Sequence, residues 1–133
     1  MDKQLIIAQY KSFSDHRIHF SRLYFGVVAF VLIVGAALFF LSIILGDGGR
    51  ITAALFLAEA LFIIFGGFIS HKLMLREEEY AKLLSQIEEN NEALMRSKKP
   101  SRLGARSLVV WSLYLIGATM IIIAILVWLN ARN

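Results

Sequence analysis

Three long apolar stretches separated by polar residues dominate the chain. Residues 23–45 carry no charge, residues 51–69 carry only Glu59, and residues 107–129 carry none. At about 1.5 Å per helical residue these segments extend roughly 28 to 34 Å, close to the roughly 30 Å of a hydrocarbon core. The pattern predicts an all-α, single-domain integral membrane bundle of three transmembrane helices spanning residues 1–133.

The connection between the first two apolar segments is very short. It consists of the five residues 46–50, of which three are glycine. Glycine adopts the positive φ values that a tight reversal needs. The first two spans are therefore predicted to form an antiparallel hairpin.

Basic residues are shared unevenly between the two ends of the predicted spans. Four lie before the first span and eight lie between the second and third, at Lys3, Lys11, Arg17, Arg22, Lys72, Arg76, Lys82, Arg96, Lys98, Lys99, Arg102 and Arg106. The other side has only Arg50 and Arg132. Since cytoplasmic loops are enriched in Lys and Arg, residues 1–21 and 71–106 are predicted to face the cytoplasm, with the C-terminus outside the plasma (inner) membrane. These residues flank apolar runs and form no single patch, so no nucleic-acid partner is expected.

The segment between the second and third spans has a helical pattern of its own. Seven residues recur at alternating steps of four and three: Leu73, Glu77, Tyr80, Leu84, Ile87, Asn91 and Leu94. This spacing is typical of a narrow seam that packs against another helix. We predict that residues 71–96 form a coiled-coil helix for self-association or for a membrane-protein partner, with contacts at Tyr80, Leu84, Ile87, Asn91 and Leu94. Residues 2–20 place several apolar side chains roughly on one face, a pattern that is compatible with a short helix lying along the membrane surface but does not decide it.

Glu59 is the most unusual residue, because a carboxylate near the middle of a bilayer costs about 2.5 kcal/mol or more on insertion scales. It shares a helical face with Thr52 and with several small residues, so the carboxyl group is predicted to point toward protein. One interpretation is a proton or cation site. The other is a neutral carboxyl group hydrogen-bonded to Thr119 or Tyr114, which would hold two helices together.

Other candidate chemistry is sparse. The chain has no cysteine, which excludes disulfides and thiolate ligands, and it lacks the zinc-protease, nucleophile-elbow and phosphate-loop motifs. His16 and His19 have a spacing that could align them on a helix toward a metal or haem iron, but this signal is weak. No enzymatic activity, cofactor or metal is predicted.

Three functional classes follow from these observations. The favoured one is a structural or interaction subunit, anchored in the lipid bilayer and forming a homo-oligomer or a complex through residues 71–96. The alternative is an oligomeric pore or a proton- or cation-conducting protein that uses Glu59, since one three-helix chain is too small to enclose a path. The third is a membrane redox subunit using His16, His19 or His71.

Overall fold

The computed structural model describes residues 3–46, 48–90 and 104–131, and these are helical apart from short connections. The helices are α1 (Lys3–Leu45), α2 (Arg50–Glu89) and α3 (Ala105–Asn130). Each is long and apolar enough to cross a membrane. All three predicted apolar segments lie within these helices, which confirms the all-helical class.

The reversal between α1 and α2 is built as its glycines predict. Gly48 has a φ of +73°, in the left-handed region that favours glycine. Its backbone N–H donates to Thr52 Oγ1 at 3.0 Å, and the Ala53 N–H donates to the Gly49 carbonyl at 3.1 Å. These bonds satisfy backbone groups at the start of α2, and the two helices run antiparallel from this point.

The first two helices are much longer than a membrane is thick. With 43 and 40 residues, α1 and α2 extend roughly 64 and 60 Å, so each continues well beyond an apolar span. We call the paired extensions, residues 3–22 of α1 and 71–89 of α2, the stalk. The N-terminal residues therefore do not form a separate surface helix, with which their pattern was compatible, because they continue α1 and pack against α2.

Aromatic and polar contacts hold the stalk together. The Tyr80 ring lies 5.6 Å from the Phe20 ring, 5.2 Å from the His16 ring and 6.0 Å from the Phe13 ring. Near the far end, the Tyr10 hydroxyl donates to Glu88 Oε1 at 3.0 Å. This hydrogen bond, burial and the charge of Glu88 raise the pKa of Tyr10, and nearby Arg17 partly opposes the shift.

The central helix of the bundle is α2, which packs against both α1 and α3. One buried cluster combines Tyr24, Met74 and Val110, and a second combines Val31, Ile63 and Leu113, so each contains one residue from every helix. Small residues allow these close approaches. A side chain at Gly66 would collide with Val31, and one at Gly117 would lie 3.3 Å from the Ala60 carbonyl oxygen.

The outer faces of the apolar segments are uncovered. Ile33, Ile44 and Leu115 are 69%, 76% and 70% exposed, and many other large apolar side chains are exposed around them. Large exposed apolar surfaces of this kind are typical of membrane or protein interaction sites. The packing therefore agrees with the membrane character that composition and helix length indicate.

Candidate functional site: the Glu59 groove

Glu59 belongs to a buried stripe that runs along α2. The stripe includes Thr52, Ala53, Glu59, Ala60, Ile63, Gly66, Gly67, Ser70, Met74, Glu77, Ala81, Leu84 and Glu88. Only 3% of Glu59 is exposed, so its carboxyl group faces protein as its helical position predicts. The small residues around it explain this burial, because they let α1 and α3 approach the same face of α2.

Above Glu59 the bundle contains a groove. α2 forms its floor, and α1 and α3 form its walls, with a cavity volume of about 380 Å³. We call it the Glu59 groove, and it is lined by Val31, Leu32, Gly35, Ala36, Phe39, Phe40, Glu59, Ile63, Leu113, Ile116 and Met120. Apart from Glu59, every lining side chain is apolar. The groove therefore offers hydrocarbon contacts and one carboxyl group.

That carboxyl group is incompletely bonded. Glu59 Oε2 is buried and has no hydrogen-bond partner in the part of the chain that the structure describes. Leaving a buried polar atom unsatisfied costs about 1–3 kcal/mol, and more where the group is charged. The Ser70 hydroxyl is also buried without a partner, but a hydroxyl on a helix can rotate toward a carbonyl of its own helix. Glu77 Oε2 is the third such atom among the described residues, but it lies in an ion pair with Arg106. The carboxyl group of Glu59 is therefore the one left open to a group from outside.

The three residues predicted to join Glu59 in an intramembrane polar site bond elsewhere. Thr52 Oγ1 accepts the hydrogen bond from Gly48, at the hairpin turn. Tyr114 packs beside Gly67, and its ring lies 6.1 Å from that of Trp111. Thr119 is exposed and donates to the Leu115 carbonyl at 2.9 Å. The predicted bond from Glu59 to Thr119 or Tyr114 is therefore not formed, because the buried face of α3 carries Leu113 and Met120 instead.

Thr119 is nevertheless at the same depth as Glu59. Helices α2 and α3 are antiparallel, and Gly117 is level with Ala60. Two residues further along α3 therefore correspond to a position close to Glu59 on α2. The Thr119 hydroxyl lies at the correct height but on the outer surface of the bundle.

The predicted seam on the second half of α2 packs within the chain. Tyr80 contacts three aromatic rings of α1, Leu84 is buried, and Ile87 lines a small cavity with Ile6 and Phe13. Asn91 and Leu94 lie outside the described residues. For Tyr80, Leu84 and Ile87 the expected intermolecular partner is replaced by α1, because the N-terminal residues form a helix long enough to reach them.

A charged cluster that links the stalk to α3 was missed by sequence reasoning. Glu77 is 8% exposed and forms ion pairs with Arg106 of α3 and with Arg17 of α1, the latter at 3.8 Å. Arg106 also donates to Ser21 Oγ at 3.0 Å. A signal was present, since Glu77 follows Glu59 by 18 residues, which is five helical turns and places both on one face. In the sequence, however, Glu77 stands directly before Glu78 and Glu79, and such a run of like charges is typical of a solvated helix face.

The histidines take part in packing. His16 stacks on Tyr80, and its Nδ1 lies 2.7 Å from the Ser12 carbonyl oxygen, while the His19 ring meets the Phe20 ring edge-on. Within the described residues no group of three potential ligands is positioned to hold a metal ion.

Comparison of the chain with protein families, with curated proteins and with solved structures finds no match. Its function therefore has to be inferred from its own residues.

Proposed function

We propose that this chain is a multi-pass structural and interaction subunit of the plasma (inner) membrane that self-associates through the Glu59 groove. In this arrangement three helices span the bilayer, the N-terminus and the stalk face the cytoplasm, and the C-terminus faces out. The observation that carries the proposal is the buried carboxyl oxygen of Glu59, which has no partner among the described residues although it lines an apolar groove.

The orientation is supported by the distribution of charge. Twelve of the 14 Lys and Arg residues lie at the stalk end of the spans or in the connection between α2 and α3. A topology reporter fused after Asn133 is expected to report the outer side of the membrane. The same kind of reporter inserted near Ser97 is expected to report the cytoplasm. A cytoplasmic C-terminus contradicts the three-span topology.

The occupant of the groove must be apolar and must carry a hydrogen-bonding group at the depth of Glu59. Lipid chains supply the first property and lack the second. Two copies inserted with the same topology keep every residue at the same depth, so Thr119 of a second copy is level with Glu59. A neutral Glu59 carboxyl group can donate to the Thr119 oxygen while that hydroxyl still donates to Leu115. We therefore take α3 of a second copy as the occupant.

The apolar lining also distinguishes this function from ion conduction. A conducting path needs a series of polar groups or water along its length. Within the described residues, the groove contains only Glu59 as a polar group. Packing against a helix fits that lining better than movement of an ion along it.

Site-specific photocrosslinking tests the assembly in native membranes. A photoreactive residue at Ile116, on the groove wall, is expected to give an adduct of twice the 15.0 kDa chain mass. The matched position is Leu115, which is 70% exposed and points away from the groove, and it is expected to react with lipid. An adduct with a different protein overturns the second copy as occupant. Lipid adducts at both positions overturn the groove as an interface.

Substitutions then test the hydrogen bond itself. Glu59→Leu and Thr119→Val are each expected to weaken the dimer about three- to twenty-fold, given that bonds between membrane helices average about 0.6 kcal/mol and reach about 1.7 kcal/mol. Glu59→Gln keeps the hydrogen-bonding groups and is expected to retain the dimer. Ser112→Ala is the control, because Ser112 is another exposed hydroxyl of α3 bonded within its own helix. Equal dimer affinity in all four variants excludes a role for Glu59 in assembly.

A further inference from the structure

A cleft at the boundary between the stalk and the apolar bundle carries an excess of positive charge. It lies between α1, α2 and the start of α3 and has a volume of about 300 Å³. We call it the arginine cleft, and it is lined by Ser14, Arg17, Ile18, Ser21, Arg22, Glu77 and Arg106. Three guanidinium groups therefore face one carboxylate. Glu78 lines the neighbouring cavity and offsets part of the remaining charge.

The arginines retain donors that the protein does not use in the contacts described above. Arg106 directs its two terminal nitrogens to Glu77 and Ser21. Arg17 also lines the cleft and approaches Glu77 through Nε, so its two terminal nitrogens lie outside that ion pair. Arg22 is exposed at the rim and forms no ion pair within the described residues. These groups and the two serine hydroxyls form a set of donors suited to phosphate oxygens.

The cleft also lies where the apolar surface begins. The Tyr24 hydroxyl donates to the Arg106 carbonyl at 3.0 Å, and the Arg106 guanidinium lies 5.1 Å from the centre of the Phe25 ring. Leu23 and Phe25 are 41% and 58% exposed directly beside it. A ligand with a phosphate in the cleft could therefore lay hydrocarbon chains along these side chains.

We propose that the arginine cleft binds the phosphate of an anionic phospholipid. A free phosphate would satisfy the donors alone, whereas a phospholipid also covers the adjacent apolar surface. The net positive charge favours a headgroup without a compensating ammonium, since clusters of Lys and Arg at a membrane surface attract anionic lipid.

The test is fluorescence quenching of the full chain in vesicles. The chain has two tryptophans. Trp128→Phe leaves Trp111, five residues after Arg106 on α3, as the remaining indole. Vesicles of phosphatidylcholine then receive brominated phosphatidylglycerol or brominated phosphatidylcholine. The anionic lipid is expected to quench Trp111 with roughly five-fold higher apparent affinity.

Two matched arginine variants decide whether the cleft causes this selectivity. Arg22→Gln is expected to reduce it to less than half, and Arg22→Lys to preserve most of it. Arg76→Gln removes an equal charge from the stalk outside the cleft and is expected to leave selectivity unchanged. Equal loss in Arg22→Gln and Arg76→Gln shows a diffuse surface potential and overturns the site. Loss of selectivity on adding millimolar inorganic phosphate at constant ionic strength assigns the cleft to soluble phosphate and overturns the lipid.

Discussion

Glu59 and Glu77 occupy the same face of α2, five turns apart, and both are almost fully buried. Glu77 is held by arginines from the two other helices, so its charge is compensated within the chain. Glu59 lies among apolar side chains, and one of its oxygens has no partner in the described structure. Glutamate therefore links the three helices through ion pairs at position 77, whereas at position 59 it keeps a buried carboxyl oxygen among apolar side chains.

The difference between the two carboxyl groups lies in their surroundings. The Glu77 cluster joins α1, α2 and α3 where the arginines are still partly exposed. About a third of each arginine side chain stays exposed, which reduces the desolvation cost. Glu59 is only 3% exposed, so a hydrogen bond to it is expected to affect helix packing more than a bond to a partly exposed group such as those of the Glu77 cluster.

The largest expected effect is at the Glu77 cluster. Arg106→Gln leaves Glu77 with only the longer contact to Arg17, and we expect stability to fall by about 2 kcal/mol, below the 3–5 kcal/mol of a fully buried pair because Arg106 is partly exposed. Circular dichroism during thermal unfolding in detergent measures the change.

The control for that variant is another arginine of the same chain. Arg76 pairs with Glu79 at 3.0 Å, but their side chains are 66% and 61% exposed. Arg76→Gln is therefore expected to change stability by less than about 0.5 kcal/mol. Similar losses for both variants mean that the Glu77 cluster is no more than a surface ion pair.

A smaller effect of opposite sign is expected at Glu59. At a detergent-to-protein ratio high enough to keep the chain monomeric, Glu59→Leu removes an unsatisfied buried group and is expected to raise stability by about 1 kcal/mol. The same substitution at Glu77 strands two arginines and is expected to lower it. A loss of stability in monomeric Glu59→Leu shows that Glu59 already has a partner within the chain, and the contrast between the two carboxyl groups then fails.

Much of the fold follows from the sequence because its main cause is local. Uninterrupted apolar residues of the right length predict the three long helices, and a glycine-rich connection of five residues predicts the hairpin. The stripe around Glu59 is also readable, since helical periodicity places its small residues on one side. These features need no knowledge of which helix lies next to which.

The remainder depends on contacts between residues far apart in the chain. The spacing of Tyr80, Leu84 and Ile87 predicts a partner helix but not its identity, and the N-terminal part of α1 is that partner here. Glu77 lies beside two other acidic residues, and its burial follows only from arginines 60 residues before and 29 residues after it. The hydrogen bonds predicted from Thr119 and Tyr114 to Glu59 are not formed for a related reason. The sequence indicates how far along α3 a residue lies, but it does not indicate which face of α3 turns toward α2.

The smallest expected effect is at the far end of the stalk, where Tyr10 bonds to Glu88 and has a raised pKa. A raised pKa means that folding favours the neutral phenol. The contribution of the Tyr10–Glu88 bond to stability is therefore complete below about pH 10, and it is lost as the pH rises through the pKa of Tyr10 in the folded chain. Tyr10→Phe is expected to cost about 0.5 kcal/mol at neutral pH and to abolish this alkaline loss.

Because the chain has no cysteine, single cysteines at Lys11 and Lys82 can carry spin labels across the stalk. We expect the distribution of distances between the two labels to broaden between pH 9 and 11.5 when Tyr10 is present. The Tyr10→Phe variant keeps every other titrating group, and we expect less broadening in it. Equal broadening in both would assign the alkaline change to those other groups and leave the Tyr10 bond without a measurable role.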